Sequence, residues 1–200
     1  MGANLINVIS FYSPIIICIS ILIFSIFSMS IGKGLFFLFW ILVITFLRIA
    51  LLWNIPGSDP YIKFNNPICQ MGELLPYDNA SYSVYILLFT FFYITTPMYI
   101  ANNINYVIIT FFIIYIIFDL LIKLTNGCIK SNVNIFGDFV AGGGLGAAIA
   151  ALIYSSPISG YLFINEVSSD KEVCSMPSKQ TFKCSVYKNG ELVNSTLTSQ

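Results

Sequence analysis

The side chains able to do chemistry in this chain are few: nine basic and nine acidic residues, five cysteines and no histidine. Without an imidazole, no side chain has an ordinary pKa suited to general acid–base work near neutral pH. A cysteine nucleophile needs a base beside it, and Cys128, near Lys130, is poorly served. The carboxylates Asp59, Glu73 and Asp78 fall in one polar stretch and read as solvated loop charge. Gly142, Gly143 and Gly144 suggest a phosphate cradle by composition alone. They lie in an apolar helix, however, and lack the Lys-Ser/Thr that follows a nucleotide loop. Arg48 and Asp119 carry more information, because each stands inside an apolar run about five residues before its end. A charge in lipid is costly unless paired, so the two are expected to form an intramembrane ion pair facing the bundle. Such a pair either contacts a substrate or ion or holds helices together, and an Arg alone can snorkel.

The elements that must position these residues are membrane helices. Hydrophobic residues make up 57% of the sequence, charged residues 9% and aromatic residues 16%, which a soluble core of this size does not need. Runs of about 20 apolar residues extend from Val8 to Met29, Leu35 to Trp53, Tyr82 to Ala101, Tyr106 to Leu124 and Phe139 to Tyr154. The first lacks a basic n-region and a small-residue cleavage pattern, so it reads as a retained span and not a signal peptide. Pro97 is expected to kink the third. Short connections at Ser30 to Gly34 and Asn102 to Asn105 make their flanking helices antiparallel neighbours. Alternation then puts the Asn54 to Ser81 and Thr125 to Gly137 loops on the N-terminal side, with Lys33 and everything after Tyr154 opposite. The basic residues are too evenly spread to orient the protein absolutely, and Lys123 reads as an interfacial anchor. In the fifth span Gly142, Gly146 and Ala150 recur every fourth residue, a smooth face for close helix packing.

The expected architecture is therefore an all-α membrane protein, a bundle of about five transmembrane helices over residues 1–155, followed by a small polar tail containing β structure over 156–200. Thr181 to Tyr187 alternates as a strand does, and Asn189 and Gly190 supply a hairpin turn. About 45 residues cannot bury much core alone, so a Cys174–Cys184 staple or docking on a partner is expected. Cys69 and Cys128 fall on the face opposite to Cys174 and Cys184, although ordinarily only one side of a membrane is oxidising, so either one pair is reduced, or the span count differs, or the protein matures where thiols are oxidised on the cytosolic side. The same separation argues against a four-thiolate zinc site. The sequons at Asn79 and Asn194 also lie on opposite faces, so a standard secretory route would modify at most one. The net charge of zero gives no basic stripe for nucleic acid.

One stretch bears a family resemblance. Asp138, Ala141, Gly142 and Gly146 match the pattern D-x-x-A-G-x-x-x-G that follows the last motif of the type 2 phosphatidic acid phosphatase superfamily, membrane enzymes that remove phosphate from lipids. The resemblance implies that the nucleophilic histidine position is Asn134, the phosphate-binding arginine position Cys128, and the acid histidine of the middle motif Ser81. The first motif, a Lys and an Arg-Pro, has no clean counterpart beyond Lys63 and Arg48. The likeness covers about Asn54 to Tyr154, with one helix fewer than the family's usual six. The family's route needs an imidazole nucleophile, an imidazole acid and cations on the phosphate. Asn134, Ser81 and Cys128 supply none of these, and Asp138, with no histidine to orient, is free to cap the fifth helix.

The expected protein is thus no enzyme and needs no metal or cofactor. It is a structural or scaffolding component in the lipid bilayer, binding neighbouring membrane or capsid proteins through the 54–81 loop and the tail. The alternative is a lipid-binding or transport protein that uses the relic cleft beside Arg48, Asp119 and Asp138. Heavy use of Ile, Asn, Phe, Tyr and Lys suggests an AT-rich genome. A large DNA virus with an internal membrane and its own thiol oxidase would accommodate cysteine pairs on both faces.

Overall fold

A computed structural model describes residues 5–53, 66–70, 79–129, 132–167, 181–188 and 191–199. It forms two compact units, Met1–Ser169 and Asp170–Gln200. The first is helical: α1 (Leu5–Phe11), α2 (Ser13–Phe27), α3 (Ile31–Trp53), α4 (Asn79–Ile100), α5 (Tyr106–Thr125), α6 (Asn132–Tyr154) and the short α7 (Ile164–Val167). Single 3-10 turns occur at Pro67–Gln70 and Ser159–Tyr161. The second contains an antiparallel strand pair, β1 (Thr181–Lys188) and β2 (Glu191–Ser199), in which Thr181 faces Ser199.

Among the described residues four helices are long and apolar enough to cross a membrane, and a fifth crossing is made if the bent pair α1 and α2 is one span. The first span expected over Val8 to Met29 is broken within that run: α1 and α2 meet at 77°. Pro14 explains the break, since it offers no amide to the Ser10 carbonyl and its ring clashes there. The chain resumes with the Ile16 amide on the Tyr12 carbonyl at 3.0 Å. At 15 residues α2 is ~22 Å long, short of a ~30 Å hydrocarbon core.

At the centre stands α4, with 67% of its spanning window buried against 22%, 28% and 28% for α3, α5 and α6. Central burial explains why it tolerates hydroxyls: Thr90 and Thr95 each donate to the carbonyl one turn earlier, at 2.8 Å, and leave nothing unsatisfied. Its apolar side packs Phe89 and Tyr93 against Phe37 of α3, with Phe37 and Tyr93 ring centroids 5.4 Å apart. α6 lies on α4 almost backbone to backbone. A Cβ at Gly142 would stand 2.5 Å from the Tyr85 carbonyl oxygen, and one at Gly146 would stand 2.5 Å from that of Phe89. Ala150 continues the same face and is fully buried. Gly144, by contrast, looks into open space. Phe46, Phe111 and Leu152 are among many large apolar side chains on the outside, the surface a bilayer would solvate.

Three helices end alike. The amides of Ser30, Asn103 and Cys128 reach back five residues to the carbonyls of Ser25, Met98 and Lys123. The residues before them, Met29, Asn102 and Gly127, have φ of 52°, 53° and 66°. This is the Schellman ending, which closes orphan carbonyls and reverses the chain tightly. Residues 155–167 then fold back across the end of the bundle that holds the α2–α3 turn. Leu162, Phe163 and Val167 are buried there, Tyr161 meets Phe36 with centroids 5.0 Å apart, and Lys33 grips Glu166 at 2.6 Å. The described helical unit thus runs on to Val167, because this segment buries apolar side chains of its own.

Candidate functional site

The first turns of α4 carry Ser81 and Ser83, two residues and hence ~200° apart around the helix. Each enters a separate buried ionic cluster. On one side Arg48 of α3 forks onto Asp138 of α6, Nε to Oδ1 at 2.9 Å and Nη2 to Oδ2 at 2.8 Å, and also donates to Ser81 Oγ at 2.9 Å. The rings of Tyr82 and Tyr85 lie 5.4 and 5.9 Å from the guanidinium carbon. Their hydroxyls are engaged elsewhere, Tyr82 with Thr45 at 2.9 Å and Tyr85 donating to the Ile44 carbonyl at 3.1 Å. The planar fork of an arginine suits this geometry, binding both carboxylate oxygens while its face rests on aromatic carbon.

On the other side Lys123 of α5 pairs with Asp119 one turn earlier, at 2.6 Å, and donates to Ser83 Oγ. Asp119 accepts from Ser83 through Oδ2 at 2.8 Å and from Ser10 of α1 through Oδ1 at 2.6 Å. Asp119, Lys123, Ser10 and Ser83 all have zero exposure. Over the ammonium sits the Phe11 ring, 5.9 Å from Nζ. Phe11 in turn packs with Cys69, Cys128 and the half-buried Ile68, a small apolar cluster apart from the main core. Cys69 and Cys128 are joined in a disulfide that links the 66–70 turn to the end of α5, their Cα atoms 5.2 Å apart. Asn66 Nδ2 donates to the Asn126 carbonyl at 3.1 Å, tying the same two segments.

The expected Arg48–Asp119 pair is not formed. Both residues lie at the same end of the bundle, but α4 stands between them, so Arg48 takes Asp138 and Asp119 takes Lys123. Lys123 is correspondingly no interfacial anchor. Its signal in the sequence was the four-residue spacing from Asp119 on one helix face. Asp138 does not cap its helix, because α6 begins at Asn132 and carries Asp138 into its second turn.

Of the positions matched to the phosphatase motifs, Ser81 and Asp138 come together on Arg48. Cys128 sits apart, in its disulfide with Cys69. Asn134 lies in the first turn of α6, and its side chain is outside the described residues. So are the side chain of Cys184, all of Cys174, and most of the 54–81 loop. Cys18 is a free thiol half-buried in α2.

The chemistry open to these clusters is narrow. Ser83 beside Lys123 has the residue types of a serine nucleophile and its base. An ammonium already bound to a carboxylate has no lone pair to offer, and no substrate reaches a serine with zero exposure. Among the described residues no three His, Cys, Asp or Glu side chains gather to hold a metal ion. No family model, curated protein or solved structure matches this chain.

Proposed function

We propose that this protein is a non-enzymatic scaffold of a membrane, built on a catalytically degenerate bundle of the type 2 phosphatidic acid phosphatase kind. The observation that carries the reading is the Arg48–Ser81–Asp138 cluster. Two of its members occupy phosphatase-motif positions, yet the cation among them is spent on a carboxylate inside the bundle. Close packing of α6 on α4 at Gly142 and Gly146 leaves no room between those helices for a lipid headgroup. The sequence supplies no histidine for phosphoryl transfer. In this reading the bundle anchors the chain in lipid, while the 54–81 loop and the β-containing tail bind neighbouring protein. We place it in the internal membrane of a large DNA virus particle, with capsid protein as the neighbour. The AT-rich residue usage supports that placement.

A second reading, transport or lipid handling, draws on one specific observation. The broken pair α1 and α2 abuts the buried Asp119 and Lys123, and discontinuous helices beside intramembrane charge are a device of transporters. Crosslinking in the native membrane separates the two. Links from Lys183 and Lys188 of the tail to another protein support the scaffold. An ordered lipid beside α1 and α5 with no protein neighbour supports transport, and phosphate release from phosphatidic acid by the purified protein overturns the non-enzymatic reading.

A further inference from the structure

The attachment of α1 is unusual for so apolar a helix. Its two buried residues are Ser10 and Phe11. Ser10 hangs on Asp119 by one hydrogen bond. Phe11 belongs to no part of the main core, and its buried apolar neighbours are the two half-cystines themselves, with Ile68 beside them. Among the described residues, the apolar seat of Phe11 is therefore built by the 66–70 turn held against the end of α5. Two ties among the described residues do this, the Cys69–Cys128 bond and the Asn66–Asn126 hydrogen bond. A single hydrogen bond is worth about 1 kcal/mol net, so the covalent tie dominates. The 77° break at Tyr12 sets α1 apart from α2 as a short arm with a direction of its own. What α1 covers is the Asp119–Lys123 pair, at zero exposure directly beneath the Phe11 ring.

We propose that the Cys69–Cys128 disulfide is a redox latch on α1. Oxidised, it seats Phe11 and closes α1 over the Asp119–Lys123 pair; reduced, it frees the 66–70 turn, releases α1 and opens that pair to water. The step is thiol–disulfide exchange with a dithiol reductant. The Cys69–Cys128 S–S bond breaks, two thiols form, and the reductant's two thiols close to a disulfide, with two electrons and two protons passing to the protein. This device is independent of whether the protein is a scaffold or a transporter.

Hydrogen exchange measured by mass spectrometry on the full chain in lipid nanodiscs tests it. Treatment with dithiothreitol, with loss of the bond verified by intact mass, should speed exchange of the 5–12 backbone amides by about tenfold or more. Peptides from α4 and α6 should keep their rates. The Cys69→Ser/Cys128→Ser double variant should show the released pattern without reductant. Phe11→Ala should release α1 with the disulfide intact, which separates loss of the seat from loss of the crosslink. Unchanged α1 exchange in the reduced protein and in the double variant overturns the latch. So does protection of α1 in Phe11→Ala, or an equal rise across α4 and α6, which would make the bond a general staple.

Discussion

Arg48 and Asp138 form a buried pair in which each charge depends on the other. Removing one member strands the other in the bundle, which costs about 3–5 kcal/mol, whereas replacing both by apolar side chains of similar volume is often near neutral. Arg48→Ala is therefore expected to lose most of that amount in reversible unfolding in mixed micelles, and Arg48→Met/Asp138→Leu to recover most of it. A double mutant as unstable as the single one would show that the cluster does more than neutralise itself. The sequence made both charges conspicuous but not their pairing. Depth along a span is legible from residue counting, and it placed Arg48 and Asp119 at one level. Which side of α4 each faces depends on how the helices are arranged around it, and no spacing encodes that. Lys123 was obscured for a related reason: a lysine at the end of a span ordinarily reaches water, whereas here α1 folds over it and Ser83 and Asp119 hold it inside. Met29 was equally unreadable, since a methionine gives no hint that it will take a left-handed conformation where Gly127 gives a strong one.

Among the elements, α4 and α6 depend most on particular residues. Gly142 and Gly146 meet backbone atoms of α4, which cannot yield as a flexible side chain can. Gly146→Ala is expected to cost about 1–3 kcal/mol by overpacking and to lower the midpoint of thermal unfolding in detergent. Gly144→Ala, two residues away and facing open space, is expected to stabilise by up to about 1 kcal/mol through helix propensity. Equal effects at the two positions would remove the close approach as the explanation. The four long spans were legible because lipid demands about 20 apolar residues in a row. The start of α6 was not, because Asn132 to Asp138 reads as a polar loop; Arg48 satisfies Asp138 from another helix and lets the element begin early. The break before α2 had its cause on display in Pro14, but an uninterrupted apolar run conceals a bend.

In the molecule as a whole, both ends of α3 are pinned. Arg48 fixes one end to α6, and Lys33 fixes the other to Glu166 in the segment that returns after α6. Glu166 is among the last described residues of the first unit, close in sequence to its boundary with the second. A pull on the C-terminus would thus not begin by peeling α6. It would first load the Lys33–Glu166 pair and the Tyr161–Phe36 ring contact, and through them α3. In single-molecule stretching from the C-terminus, Lys33→Ala should lower the first rupture force while leaving later events unchanged; an unaltered first rupture would place the load elsewhere. If the protein is the scaffold proposed above, the ion pair at Lys33 acts as a strain relief, keeping tension on the tail away from the glycine-packed helices α4 and α6.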